Sequence, residues 1–168
     1  MRTNALPHFD DSVNETGCCP RFDPEGWDGQ DLHFADKRFL RAETRSAMHI
    51  PLNMGSVFGR VNARVEENGG WDNDDMIVLS RDLSPFRAEH LFSVPRDIPG
   101  EKMTTLSGVF VTKVFEGPYR EAKDWYGEME KLVRDSGSLP GRIYFFYTTC
   151  PKCAKHYGKN YVVGVAEV

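Results

Sequence analysis

The sequence predicts an α+β fold in which one strand-helix-strand-strand unit occurs twice. Three observations carry this expectation. Two stretches, "LNMGSVFGRVNARVEENGG" (52–70) and "GPYREAKDWYGEMEKLVRD" (117–135), place apolar residues at helical spacing. Each follows one extended, apolar-rich segment and precedes two more. The corners that lead into the helices, "MHIPLN" (48–53) and "FEGPY" (115–119), mirror one another.

Residues 1–36 read as an irregular arm rich in Asp, Gly, Pro and Asn, with "CCPRFDPEGWDG" (18–29) its one distinctive piece. Phe22 and Trp27 are its apolar anchors or lid residues. The domain then runs over 37–168. "RFLRAETRSAMHIP" (38–51) reads as a strand, and Met54, Val57, Phe58, Val61 and Val65 give the first helix its apolar face, stopped by Gly69 and Gly70. "DMIVLSRD" (75–82) has the apolar run of a buried strand, and "EHLFSVPRD" (89–97) alternates up to Pro95, with "LSPFRA" (83–88) as the connection.

The second unit opens with the strand "TTLSGVFVTKVFEG" (104–117). Its helix spans Pro118 to Asp135, because Pro118 suits a first turn, Glu121 and Asp124 complement the dipole, and Gly137 follows the last periodic residue. Residues 119, 122, 126, 129 and 133 form the apolar stripe, widened by 125 and 132, so Trp125 is expected at its edge, lining a groove. "GRIYFFYTT" (141–149) and "YVVGVAEV" (161–168) are the closing strands.

The 168 residues suffice for one domain with its own core, and 40% hydrophobic with 27% charged residues describes an ordinary folded chain. Lys plus Arg number 21 against 25 Asp plus Glu, a net charge of -4 without a basic cluster, so no nucleic-acid partner is expected. No apolar run reaches the roughly 18 residues of a membrane span, and "MRTNALPHFDDS" lacks a signal peptide's apolar core; the expected location is cytoplasmic, with no membrane partner.

The doubled order, the Gly117-Pro118-Tyr119 junction and the apolar last strand resemble the gyrase-inhibitor-like small-molecule-binding domain, over about residues 37–168. The resemblance implies two halves about a pseudo-twofold axis, an antiparallel sheet with both helices on one face, and a ligand cleft between the helices. Family members often serve transcription regulators, but no helix-turn-helix segment precedes the domain here. The chain looks more like the stand-alone type, whose relatives include hydrolases of cyclopropane-bearing genotoxins acting through aromatic and acidic pockets.

On that reading Tyr119, Trp125, Tyr126, Phe146, Tyr161 and His49 are the candidate ligand-binding residues, for a bulky, mainly apolar or amphipathic small molecule. Glu128, on the Trp125 side of the helix, is the candidate acid or base, and Tyr144 the candidate hydroxyl donor, with Glu116 at the helix entry. The alternative reading takes the rings as core and the carboxylates as solvated surface. Asn53 fits a helix N-cap, and Glu167 reads as exposed at the chain end.

Four cysteines form two pairs, Cys18 with Cys19 and Cys150 with Cys153, the latter in "TTCPKCAKHYGKN" (148–160) beside His156. Four sulfurs could hold one zinc ion if the arm folded back, but adjacent cysteines and the absence of a second Cys-x-x-Cys argue against it, so neither metal nor cofactor is expected. Gly158 and Asn160 mark the segment as a loop, which weakens a thiol-exchange role. The leading function is binding of the small molecule, by sequestration or hydrolysis; the alternative is a zinc- or thiol-dependent interaction protein centred on Cys150 and Cys153.

Overall fold

The computed structural model describes residues 2–8 and 12–168; of the N-terminal arm, residues 1 and 9–11 lie outside the described residues. Its elements are β1 (Asp31–Ala47), β2 (Ile50–Pro51), α1 (Met54–Glu67), β3 (Val78–Ser84), β4 (Arg87–Ser93), β5 (Lys102–Glu116), α2 (Ala122–Asp135), β6 (Ile143–Tyr147), α3 (Pro151–Tyr157) and β7 (Tyr161–Glu167). The fold is α+β with antiparallel strand pairing, as predicted. Two compact units divide the chain: Ala35–Ser107, and Met1–Phe34 with Gly108–Val168.

In the unit of residues 35–107, β4 lies between β1 and β3, in registers that run from Phe39↔Ser93 to Arg45↔Arg87 and from Val78↔Phe92 to Ser84↔Arg87. α1 lays Val57, Phe58, Val61 and Val65 on Leu40, Ala42, Phe92, Val94 and Ile98, which is the 3.6-residue stripe meeting the two-residue alternation of the strands. Charge satisfies the buried Glu89, which accepts from Arg41 Nε at 2.7 Å and from Arg81 Nε. Although burial pushes its carboxyl up, these guanidinium bonds hold it below the usual range.

The other unit repeats this order strand for strand. β7 lies between β5 and β6, with Phe110↔Glu167 to Glu116↔Tyr161 on one side and Ile143↔Ala166 to Tyr147↔Val162 on the other. α2 buries Trp125, Met129 and Val133 on Phe115, Ile143, Phe145, Val162 and Ala166. Gly164 permits the helix to approach: a Cβ there would stand 2.5 Å from Met129 Sδ.

Alternation sends Tyr144 and Phe146 to the face away from α2. There the arm covers the sheet, with the buried Phe22 and Trp27 packed on Phe146 at centroid distances of 6.2 and 5.5 Å. Thr112 fastens it, donating its hydroxyl to the Trp27 carbonyl and accepting from Gln30 N at 3.0 Å, while Gly29 N donates to the Thr112 carbonyl at 3.0 Å.

Several local expectations change. β1 starts at Asp31, within the stretch read as arm, because Leu32 and Phe34 continue its alternation. Asn53 occupies the N-cap of α1, yet its Oδ1 accepts from Arg45 N at 2.7 Å and so braces β1 rather than the helix. The segment after Cys150 is a helix, α3, started by Pro151 and ended by Gly158 at φ 76°, instead of a loop. Glu167 is held by Arg142, Nε to Oε2 at 2.9 Å and Nη2 to Oε1 at 3.2 Å, instead of being free at the chain end. Among the described residues no helix is long and apolar enough to cross a membrane.

Candidate functional site

The structure scatters the rings nominated from the sequence. Trp125 sits at the centre of the α2 stripe, 4% exposed and stacked on Phe115 at 5.5 Å and 16°, because it lines up with Met129 and Val133 at helical spacing. The edge expected for it belongs to Tyr126, which is 45% exposed. Tyr119 Oη donates to the Thr149 carbonyl at 2.6 Å, and burial pushes its phenol up to about 12. Tyr161 and Phe146 pack on Phe22, beneath the arm. Glu128 is half exposed, paired with Lys113 Nζ at 3.0 Å, while Tyr144 is buried on the sheet face away from α2. The two proposed catalytic groups are thus not brought together, since strand alternation puts the sheet between them.

His49 is placed differently. Ala47 pairs with Ile50, leaving Met48 and His49 as a two-residue turn with φ of 49° and 67°. Positive φ at both central positions matches a type I′ hairpin, which normally takes Asn and Gly; each bulkier side chain there costs on the order of 1 kcal/mol. The turn is held by His49 N donating to the Pro85 carbonyl at 2.9 Å and Ser46 N donating to the Phe86 carbonyl at 2.8 Å. The strained backbone presents the imidazole to Asp82, with Nδ1 2.6 Å from Oδ2, and leaves Nε2 without a protein partner among the described residues.

The surroundings of this pair are unusual for a surface. Met48 and Phe86, on the two adjoining turns, and Ile50 and Leu52, in and just after β2, are exposed by 60 to 71%. Behind it, on the same face of β3 as Asp82, Ser80 Oγ lies 2.7 Å from His90 Nδ1, and Thr44 Oγ1 lies 2.8 Å from His90 Nε2. Burial holds the His90 imidazole down at about 4, against the opposing pull of Asp82 and Glu89. A neutral ring between two hydroxyls makes one of them donor and the other acceptor, so the tautomer is locked to its neighbours. An imidazole oriented by a carboxylate, with its other nitrogen toward solvent, has the geometry to exchange a proton with water.

A second cluster lies in the other unit. The Sγ atoms of Cys18, Cys19, Cys150 and Cys153 all lie within 4.8 Å of one another, although the adjacency of the first two had argued against a shared site. Thr16 Oγ1 is their hub, accepting from Cys18 N at 3.2 Å and Cys19 N at 3.3 Å and lying 3.3 Å from Cys153 Sγ. That hydroxyl and the neighbouring thiols hold Cys153 down at about 6, whereas burial pushes Cys19 up to about 12.

Sequence reasoning nominated His49 but not Asp82, 33 residues away, nor the apolar turn residues around them. The local signal was Phe86 in "SPF": a large ring inside a turn has nothing to pack against and so marks a surface with another use. Comparison with curated proteins gives no match. The family described as "Bacterial hydrolase" matches residues 9–168, both halves of the fold and most of the arm. The chain therefore belongs to the bacterial hydrolase family.

Proposed function

We propose that this chain hydrolyses a mainly apolar small molecule at the β1–β2 turn, with His49 as general base and Asp82 orienting it. The observation that carries the reading is the 2.6 Å contact of His49 Nδ1 with Asp82, made from a turn that two bulky residues occupy at positive φ. Membership of a hydrolase family supports it. Asp82 accepts the Nδ1 proton, which leaves the Nε2 lone pair facing solvent. Nε2 takes a proton from water as the water oxygen adds to the electrophilic carbon; the bond from that carbon to the leaving group then breaks, its electron pair departs with the leaving group, and the imidazolium, stabilised meanwhile by Asp82, returns the proton to it. Met48, Ile50, Leu52 and Phe86 supply the apolar contact area for the remainder of the substrate.

The repeated strand-helix-strand-strand unit also supports placing the chain among gyrase-inhibitor-like domains, which adds strained cyclopropane-bearing compounds to carboxylic esters as substrate classes. The test is a panel of both, with aryl esters of increasing acyl length, assayed with wild type, His49→Gln and Asp82→Asn. His49→Gln is expected to lower kcat on the order of 100-fold or more, and Asp82→Asn by less. Longer acyl chains should lower KM until the apolar rim is covered. Turnover that survives His49→Gln at the wild-type rate removes the reading.

A further inference from the structure

We infer that Cys18, Cys19, Cys150 and Cys153 form a tetrathiolate site for a single zinc ion that fastens the N-terminal arm to the segment between β6 and β7. Four thiolates at about 2.3 Å from a tetrahedral zinc ion stand about 3.8 Å from each other. The Sγ atoms of Cys18 and Cys19 are 3.8 Å apart, and all four sulfurs lie within 4.8 Å of one another. None of the four is in a disulfide. Four sulfurs have gathered at the spacing of a coordination shell from two segments more than 130 residues apart.

The geometry answers the objection that neighbouring cysteines seldom share an ion. Gly17 at φ 69° turns the chain, and the Thr16 hydroxyl accepts from the backbone N–H groups of Cys18 and Cys19, so that the adjacent sulfurs converge rather than alternate. On the other side, Cys150 precedes α3 and Cys153 lies one turn on, which places their sulfurs side by side. A shell outside the sulfurs supports them. Tyr157 Oη donates to the Cys19 carbonyl at 2.8 Å and accepts from Glu15 N at 3.2 Å, and His156 Nε2 meets Glu15 Oε2 at 2.9 Å. Each bond joins the arm to α3, so the arm is shaped around the sulfurs before any ion enters.

Without a cation this arrangement is unfavourable, because four thiolates cannot be held in contact and four thiols make only weak hydrogen bonds. Soft sulfur ligands and a closed four-coordinate shell select zinc and assign it a structural role rather than a catalytic one. Cys153 is fully buried and Cys18 exposed, so the ion enters from the Cys18 side.

Full-length protein purified from zinc-containing medium without chelators or affinity metals is expected to carry about one zinc per chain by elemental analysis. Exchange into cobalt should produce intense tetrahedral absorption and near-ultraviolet thiolate-to-cobalt bands. Cys18→Ser, at an exposed position that leaves the fold intact, should lower the charge-transfer intensity by about a quarter and weaken retention against a chelator. Stripping the wild type should lower Tm on the order of 10 °C, reversed by zinc but not by magnesium. Metal-free protein whose four thiols all react at once with a thiol reagent overturns the inference. So does a mass two hydrogens short, showing a disulfide, or cobalt spectra unchanged by Cys18→Ser.

Discussion

Acidification offers a direct test of the buried imidazole between Ser80 and Thr44. His90 is 1% exposed and keeps its neutral form down to about 4, against an ordinary value of 6.5. The unfolded chain therefore binds a proton that the folded chain refuses throughout that window. By linkage the stabilising contribution is complete above about pH 6.5 and is lost as pH falls toward about 4. At about 1.4 kcal/mol per pH unit the loss approaches 3 kcal/mol, a large share of the stability of a domain this size. The measurement is urea unfolding followed by circular dichroism at several pH values across the window, for wild type and His90→Gln. Glutamine can still bond both hydroxyls but does not titrate, so the variant's stability should fall less between about pH 6.5 and about pH 4, by close to the same 3 kcal/mol. Parallel losses in the two proteins would refute the assignment of His90 as the acid-sensitive group.

Three further outcomes follow from the packing. His49→Gly should abolish hydrolysis yet melt no lower than wild type, because relief of the positive-φ strain, about 1 kcal/mol, offsets the loss of an exposed hydrogen bond to Asp82 of similar or smaller worth. Trp125→Ala should cost about 4 kcal/mol in urea unfolding, whereas Tyr126→Ala should change stability by about 0.5 kcal/mol or less; similar costs would contradict their placement in and outside the α2 stripe. Gly164→Ala should destabilise by about 2 kcal/mol through collision with Met129 Sδ, and a second change, Met129→Val, should recover part of it.

The order of elements was legible because helical spacing and extended apolar segments are local properties. Val57, Phe58, Val61 and Val65 are spaced as a stripe whatever they pack on, and Gly69 and Gly70 end the helix where they stand. What local pattern could not assign was the direction of rings on a helix with two candidate stripes. Trp125 and Tyr126 are neighbours, and only the position of Phe115 and Gly164 decides which faces inward. The candidate site was legible at His49 alone. Asp82 reaches it through the pairing of two hairpin turns, a long-range register that no stretch of sequence contains. The convergence of the four cysteines was illegible for a similar reason: it depends on where the arm lies, and the arm has no periodicity from which to read it.

Phe22, Trp27 and the Thr112 fastening show that the first thirty or so residues are not packaging to be trimmed for expression. A shortened recombinant version beginning near residue 37 would bare a sheet face carrying Tyr144 and Phe146, and also sever β1 within its length. Such a fragment should clump during purification, and inactivity found in it would report on that loss of cover rather than on the chemistry at His49.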